Sequence, residues 1–322
     1  MNRASAITWL SLWLGAAFAC GSSRVNPSIV PVGDVPDAAT TGADAAPPPP
    51  GAEGAVSALR FAVIGDYGFD GRNEAAVAQL VQGWNPDFVI TTGDNNYPDG
   101  AASTIDANIG KYFHSFIGNY VGRYGAGSPT NRFWPTPGNH DWLFQLMPYL
   151  SYFTLPDQPA HERYYEVDYG LVHLFSLDSD PHEPDGATVD SKQAQWLRDR
   201  LAASRACFDI VYFHQPAYSS GEHGSLPRMQ WPFAAWGARA VMNGHDHLYE
   251  RSEVDGIPYF VCGASGNGLF TPTAAQPQSK FRYSARFGAM LVTASTSGIT
   301  YEFWTAEGTL VDSTTWPARC PL

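Results

Sequence analysis

Short apolar runs recur along the chain, and several of them end in a polar residue. Residues 59–64 form one such run and lead into Gly65-Asp66, and residues 88–92 form another and lead into Gly93-Asp94. Runs this short, bounded by turn residues, predict buried strands. Between them residues 73–84 carry the spacing of an amphipathic helix, and a second helical stretch is predicted over 104–117. Residues 133–136 run into Pro137-Gly138-Asn139-His140-Asp141, and 164–169 with 171–177 predict a hairpin around Gly170. Asp190 is expected to cap a helix reaching Ala203. The run 208–213 ends in His214, and 238–242 ends in Asn243-Gly244-His245-Asp246-His247. Four further strands are predicted at 257–262, 289–294, 299–304 and 310–313. Helices and strands alternate first and strands dominate later, which predicts an α/β architecture of two mixed sheets covered by helices.

Upstream the sequence changes character. Residues 21–57 contain Ala45-Ala46 followed by four prolines and show no apolar period, so they predict a disordered Pro/Ala-rich tether. Residues 1–20 join Arg3, an apolar stretch over 6–14 and Ala17-Phe18-Ala19-Cys20, which predicts an export signal. The stretch is shorter than the roughly 20 residues of a membrane-spanning helix. Cys20 sits where a bacterial lipoprotein is acylated, with Phe18 atypical for that motif; ordinary signal-peptidase cleavage is the alternative. The expectation is an exported protein, a lipoprotein at the outer membrane, cell surface or periplasm, or otherwise secreted. Any membrane attachment would be through that lipid, and the folded domain is expected over 58–322.

An exported protein can keep disulfides. Without Cys20 three cysteines remain, Cys207, Cys262 and Cys320, which leaves one pair and one free thiol with the pairing open. No Cys-x-x-Cys occurs, which argues against a thiolate zinc or redox site. The formal charge of -12 leaves no basic surface for nucleic acid, whereas a small anion could still be held if bound metal ions supplied positive charge.

Asp66, Asp94, Asn139, His214 and His245 all follow apolar runs, and strand ends in α/β sheets are where sites form. Each alone has an ordinary explanation. Asp after Gly is turn chemistry, as is Asn139 after Gly138. A lone histidine is usually a satisfied, partly buried one, and Tyr97 alone is a packing aromatic. His245 and His247 are stronger, because in an extended segment both side chains face one way. Together, carboxylate, imidazole, amide and phenol suit a hard or borderline cation.

The order of the blocks is more specific. Gly65-Asp66-Tyr67-Gly68, Gly93-Asp94-Asn95-Asn96-Tyr97, Gly138-Asn139-His140-Asp141, Val211-Tyr212-Phe213-His214 and Gly244-His245-Asp246-His247 follow one another along the chain. This set resembles the calcineurin-like metallophosphoesterases in the version found in purple acid phosphatases. Most of that superfamily opens with Asp-x-His; here Gly68 stands at the histidine position and Tyr97 supplies a phenol instead. The spacing from His214 to His223 resembles the small, mammalian-type, tartrate-resistant-like members.

The resemblance implies a four-layer sandwich, two mixed β-sheets flanked by helices, around a dinuclear centre. Asp66, Tyr97 and His247 would bind Fe3+, and Asp94 would bridge. Asn139, His214 and His245 would bind a divalent ion (Fe2+, Zn2+ or Mn2+). His140 and His223 would stand near the leaving group, and Asn139 would also stabilise charge on the phosphate. The implied activity is hydrolysis of phosphate monoesters at acidic pH by in-line attack of hydroxide held at the metals. Substrates would be small phosphorylated molecules or phosphoproteins, acted on by a monomer.

Asp141 and Asp246 either orient these groups or are solvated loop carboxylates. Trp142, Phe144, Trp231 and Trp236 are expected in the core. Specificity is expected from the loops after Asp94, Asp178 and His223. Three alternatives stand beside this reading: a phosphodiesterase or nucleotide pyrophosphatase on the same fold, a protein phosphatase acting on phosphotyrosine at the same site, and a non-catalytic surface lipoprotein. The filled ligand positions argue against the last.

Overall fold

The computed structural model describes residues 58–320; the predicted signal, Cys20 and the tether lie outside the described residues. Strands β1 (Leu59–Ile64), β2 (Phe88–Thr91) and β3 (Phe133–Pro135) lie parallel. On the other side of β1, β11 (Gly288–Ala294), β12 (Gly298–Thr305) and β13 (Leu310–Pro317) are added antiparallel, giving the order β13-β12-β11-β1-β2-β3. The second sheet contains β4 (Tyr165–Asp168), β5 (Val172–Ser176), β6 (Phe208–Tyr212) and β7 (Ala240–Asn243), followed by β8 (Tyr249–Val254), β9 (Ile257–Cys262) and β10 (Ser279–Tyr283). Its order is β10-β8-β9-β7-β6-β5-β4, with β5, β6, β7 and β9 parallel to one another and β4, β8 and β10 joined by antiparallel pairings. Both sheets are mixed, as the pattern predicts. The hairpin around Gly170 is β4 and β5, while β8 and β10 are additional to the predicted strands.

Period-two alternation sorts the second sheet's side chains between two apolar clusters. Val172, Leu174, Ile210, Tyr212, Met242 and Phe260 face the first sheet. Phe175, Val211, Phe213, Val241 and Tyr259 face outward onto α5 (Lys192–Ala203) and α6 (Phe233–Trp236), meeting Leu197, Leu201 and Phe233. On the first sheet α1 (Arg72–Trp84) buries Val77, Ala78 and Val81.

Three expectations change here. The 104–117 stretch is a π-helical turn (Asp106–Gly110), a short α2 (Lys111–Phe113) and a 3-10 turn (His114–Phe116). The Asp106 carboxylate accepts from the hydroxyls of Tyr120 and Tyr152 and from the Arg123 amide, so the irregular turn is tied to the loop that follows. The cap of α5 is Ser191, whose hydroxyl accepts from the Ala194 amide at 3.1 Å; Asp190 is exposed one residue earlier. Phe144 is half exposed, between the short helices α3 (Asn139–Trp142) and α4 (Met147–Tyr152), whereas Trp231 is core and Trp142 and Trp236 are partly buried against it. The open cysteine pairing resolves as Cys207–Cys320, with Cys262 buried and free.

Candidate metal centre

The parallel strands of both sheets deliver their C-terminal ends to one place. The Asp66 amide donates to the Gly93 carbonyl (3.1 Å) and the Gly244 amide to the His214 carbonyl (2.9 Å), so the loops are tied within each sheet. His214 Nδ1 reaches the Thr92 carbonyl at 2.9 Å and the His245 amide reaches Asp66 Oδ2 at 2.8 Å, which ties one sheet to the other. Asp66, Asp94 and His245 have left-handed backbones, with φ of 52°, 51° and 70°. Such a conformation costs a non-glycine residue roughly 1–3 kcal/mol, and it turns each side chain sharply off its strand.

Two groups of donor atoms result. In one, the Tyr97 hydroxyl lies 2.9 Å from Asp94 Oδ2, 3.2 Å from Asp66 Oδ1 and 3.2 Å from His247 Nε2. In the other, His214 Nε2 lies 3.0 Å from Asn139 Oδ1, 3.1 Å from His245 Nδ1 and 3.4 Å from Asp94 Oδ1. Asp94 therefore offers one oxygen to each group. Asp94, His214 and His245 have ligand atoms within 4.8 Å of one another.

These atoms fit cations because they have too few protons for their lone pairs. In the first group two carboxylate oxygens and the His247 Nε2 crowd around a single phenol oxygen. In the second, a neutral His214 spends its proton on Thr92 and turns a lone pair toward Asn139 Oδ1 and Asp94 Oδ1. Without a metal, a proton fills that need. Burial opposes charge on His214, yet the Asp94 carboxylate beside it holds its pKa up at about 10. Burial likewise opposes the charged form of Asp94, and the His214 and His140 imidazoles overcome it and hold its carboxyl well below the usual range. His245 is pressed down to about 2 by burial and by repulsion from His214 and His223. Burial and the charges of Asp66 and Asp94 push the Tyr97 phenol well above its ordinary value. Only a strong cation would turn it into a phenolate ligand.

A cavity of about 320 Å³ opens over both groups. His140 and His223 stand on its wall, so every predicted site residue except the fully buried Asp66 and His214 lines it. His140 Nδ1 lies 2.5 Å from the Pro98 carbonyl and so carries the proton, leaving Nε2 3.8 Å from Asp94 Oδ2. The His223 ring stacks on His245 with centroids 4.3 Å apart.

Asp141 and Asp246 are buried rather than solvated. Asp141 Oδ2 accepts from the Gly138 amide (2.8 Å) and from the amide and side chain of Asn95, which joins the second and third blocks. Burial, with the nearby Asp94 charge, raises its pKa to about 6. Asp246 accepts from the His223 and Gly224 amides.

Among the wall residues with no signal in the motifs are Asn267 and Phe270, the latter stacked on His247 at 4.1 Å. Both come from the loop after β9, which reaches the site only because β9 lies beside β7. Gly68, at the position of the missing histidine, has no room for a side chain: a Cβ there would overlap the Asn95 backbone.

The profile of the calcineurin-like phosphoesterase family matches residues 59–249, more than half of the chain. Purple acid phosphatase 17 of Arabidopsis thaliana is 30% identical over 74% of this chain and 80% of its own length. Human tartrate-resistant acid phosphatase type 5 is 26% identical over 83% of this chain and 94% of its own. The fold recurs in purple acid phosphatase PPD1 from yellow lupin seeds, with a TM-score of 0.66 and 19% identity over 81% of this chain and 54% of that one. It recurs also in GAP50, the anchor in the inner membrane complex of Plasmodium, with a TM-score of 0.64 and 17% identity over 81% of this chain and 89% of that one. Family profile, relatives and the donor set agree: the chain belongs to the calcineurin-like phosphoesterases, in the purple acid phosphatase branch.

Proposed function

We propose that the chain is an exported acid phosphatase that hydrolyses phosphate monoesters at a dinuclear metal centre. The observation that carries this is the convergence of proton-poor donor atoms in two groups sharing Asp94, beneath a cavity walled by His140 and His223. Fe3+ on Asp66, Tyr97 and His247, and Fe2+, Zn2+ or Mn2+ on Asn139, His214 and His245, would supply Lewis acidity toward phosphate and acidify water. Asn139 turns Oδ1 toward His214, which leaves its NH2 to donate to a phosphoryl oxygen on which charge develops. His140, its Nδ1–H spent on Pro98, keeps Nε2 for protonation and delivery to the leaving oxygen. His223 stands across the cavity in position for the same task.

Small phosphorylated molecules and exposed phosphoprotein side chains are the substrates proposed, acted on by a monomer. Export is supported by the Cys207–Cys320 disulfide, which belongs in an oxidising compartment, and by the sequence around Cys20, where a lipid would anchor the tether. Fatty-acid labelling that persists in Cys20→Ala would overturn that anchor.

The activity is tested on purified full-length chain loaded with iron and zinc, assayed on p-nitrophenyl phosphate and bis(p-nitrophenyl) phosphate. Faster turnover of the monoester at acidic pH is expected. Preference for the diester would replace this reading with the phosphodiesterase one. Two bound ions with no turnover of either would make the chain a binding protein.

A further inference from the structure

Glu250 lies on β8, three residues beyond His247, and is about 1% exposed. Its strand neighbours Tyr249 and Arg251 point the other way and bond Asp312 on β13, so Glu250 faces the opposite side of the sheet. Among the described residues no cation lies within ion-pair distance of it: Arg282, its register partner on β10, donates to the Thr273 carbonyl, Arg251 goes to Asp312 and Lys280 to Glu253. A buried carboxylate without a counter-charge is expensive to keep. Both of its oxygens are spent on one residue: the Ser220 amide donates to Oε2 and the Ser220 hydroxyl to Oε1, each at 2.6 Å.

Ser220 is itself fully buried and wholly bonded. Its hydroxyl accepts from the Gln276 amide at 2.9 Å, and its carbonyl from the amide (2.8 Å) and hydroxyl (2.9 Å) of Thr273. Three residues on, the His223 amide donates to Asp246 Oδ1 at 2.8 Å, while the Ser219 hydroxyl and the Gly224 amide donate to Oδ2. The loop 219–224 is therefore held by two buried carboxylates. Asp246 grips its ends, and Glu250 grips the turn between them. Gly221 lets it lie flat, since a Cβ there would overlap the Asp246 carboxylate. The product of this clamp is an exposed His223 whose backbone is fixed and whose ring rests on His245.

We propose that Glu250, acting through Ser220, is a positioning residue for His223 and sets where that ring meets the leaving oxygen. The proposal rests on His223 serving as a proton donor. A proton donor matters most for a leaving group that is a poor anion, which gives a readout that general loss of structure would not move.

The test compares wild type, Glu250→Gln and Ser220→Ala as full-length, metal-loaded protein. In both variants kcat on β-glycerol phosphate should fall about 10- to 100-fold, the range for residues that orient catalytic groups. On p-nitrophenyl phosphate, whose leaving group needs little protonation, the fall should stay within about threefold, with KM unchanged on both. Ser220→Thr, which keeps the hydroxyl, should restore the alkyl-ester rate. Glu250→Gln added to His223→Ala should cost nothing more on β-glycerol phosphate. Equal losses on the two esters, or a further loss in the His223→Ala background, would overturn the proposal.

Amide hydrogen exchange at Ser220 and His223 reads the clamp without any assay. It should quicken in Glu250→Gln at constant metal content, and unchanged exchange would overturn the clamp itself. Faster exchange without leaving-group dependence would leave a clamp and remove His223 as the proton donor, which is a failure of the proposed mechanism rather than of the anchor.

Discussion

The Asp66, Tyr97 and His247 half of the proposed centre differs from the Asn139, His214 and His245 half in charge and in how its imidazole is held. The first collects a carboxylate and a phenol, and its histidine is fixed by stacking on Phe270 while His247 Nδ1 has no partner among the described residues. The second collects neutral groups, and His214 is aimed by a hydrogen bond from Nδ1 to the Thr92 carbonyl. Hard anionic donors favour a highly charged ion, whereas imidazole and amide suit a borderline divalent one. The contrast shows how one cavity could hold two unlike ions with only Asp94 common to both. It also suggests different ease of loss, because His245 and Asn139 are partly exposed and Asp66 and Tyr97 are buried.

Four measurements would break or sharpen that contrast. Asp94→Ala removes the shared ligand and should lose both ions in metal analysis. Its kcat should fall by more than about 10³-fold, because Lewis-acid stabilisation is worth several kcal/mol. His214→Ala should lose one ion per chain and most activity, yet keep the visible charge-transfer band; two retained ions would make the second half a misassignment. Tyr97→Phe should do the reverse and remove the band with a smaller loss of rate. A wild-type protein with both metals and no band would remove the ferric assignment altogether.

The smallest effect concerns the metal-free protein. His214, raised to about 10, contributes stability that is complete below its unfolded pKa of about 6.5 and fades as pH climbs toward 10. His245, lowered to about 2, withdraws stability as pH falls below that same unfolded value. The joint contribution of His214 and His245 to the stability of the metal-free protein should therefore be greatest near pH ~6.5, and the metal-loaded protein should lose less stability than the metal-free protein above that pH because the ion replaces the proton on His214. Equal pH dependence with and without metal would contradict the second half as drawn.

Most strands were legible because their runs are apolar and short, whereas the polar β8 and β10 were not, and the residues that converge on the cavity were legible because they follow one another in a fixed order. What escaped the sequence depends on packing between distant segments. Asp141 and Asp246 look like loop carboxylates until the loops fold over them and supply amide donors. Asn267 and Phe270 lie beyond the last motif and join the site only through the neighbouring strands β7 and β9. Asp190 and Ser191 are both good caps by type, and only backbone direction selects the serine. Glu250 lies outside the predicted strands, and its burial depends on the 219–224 loop that covers it.

Gly68 has a consequence for descent. Its backbone packs so closely on Asn95 that no side chain can enter while the second block keeps its course, and that course is what brings Tyr97 to Asp66. A single codon change to histidine would therefore collide with the tyrosine loop rather than recreate the more common ligand. Histidine at position 68 requires the second block to move as well, and that block cannot move without carrying Tyr97 away from Asp66.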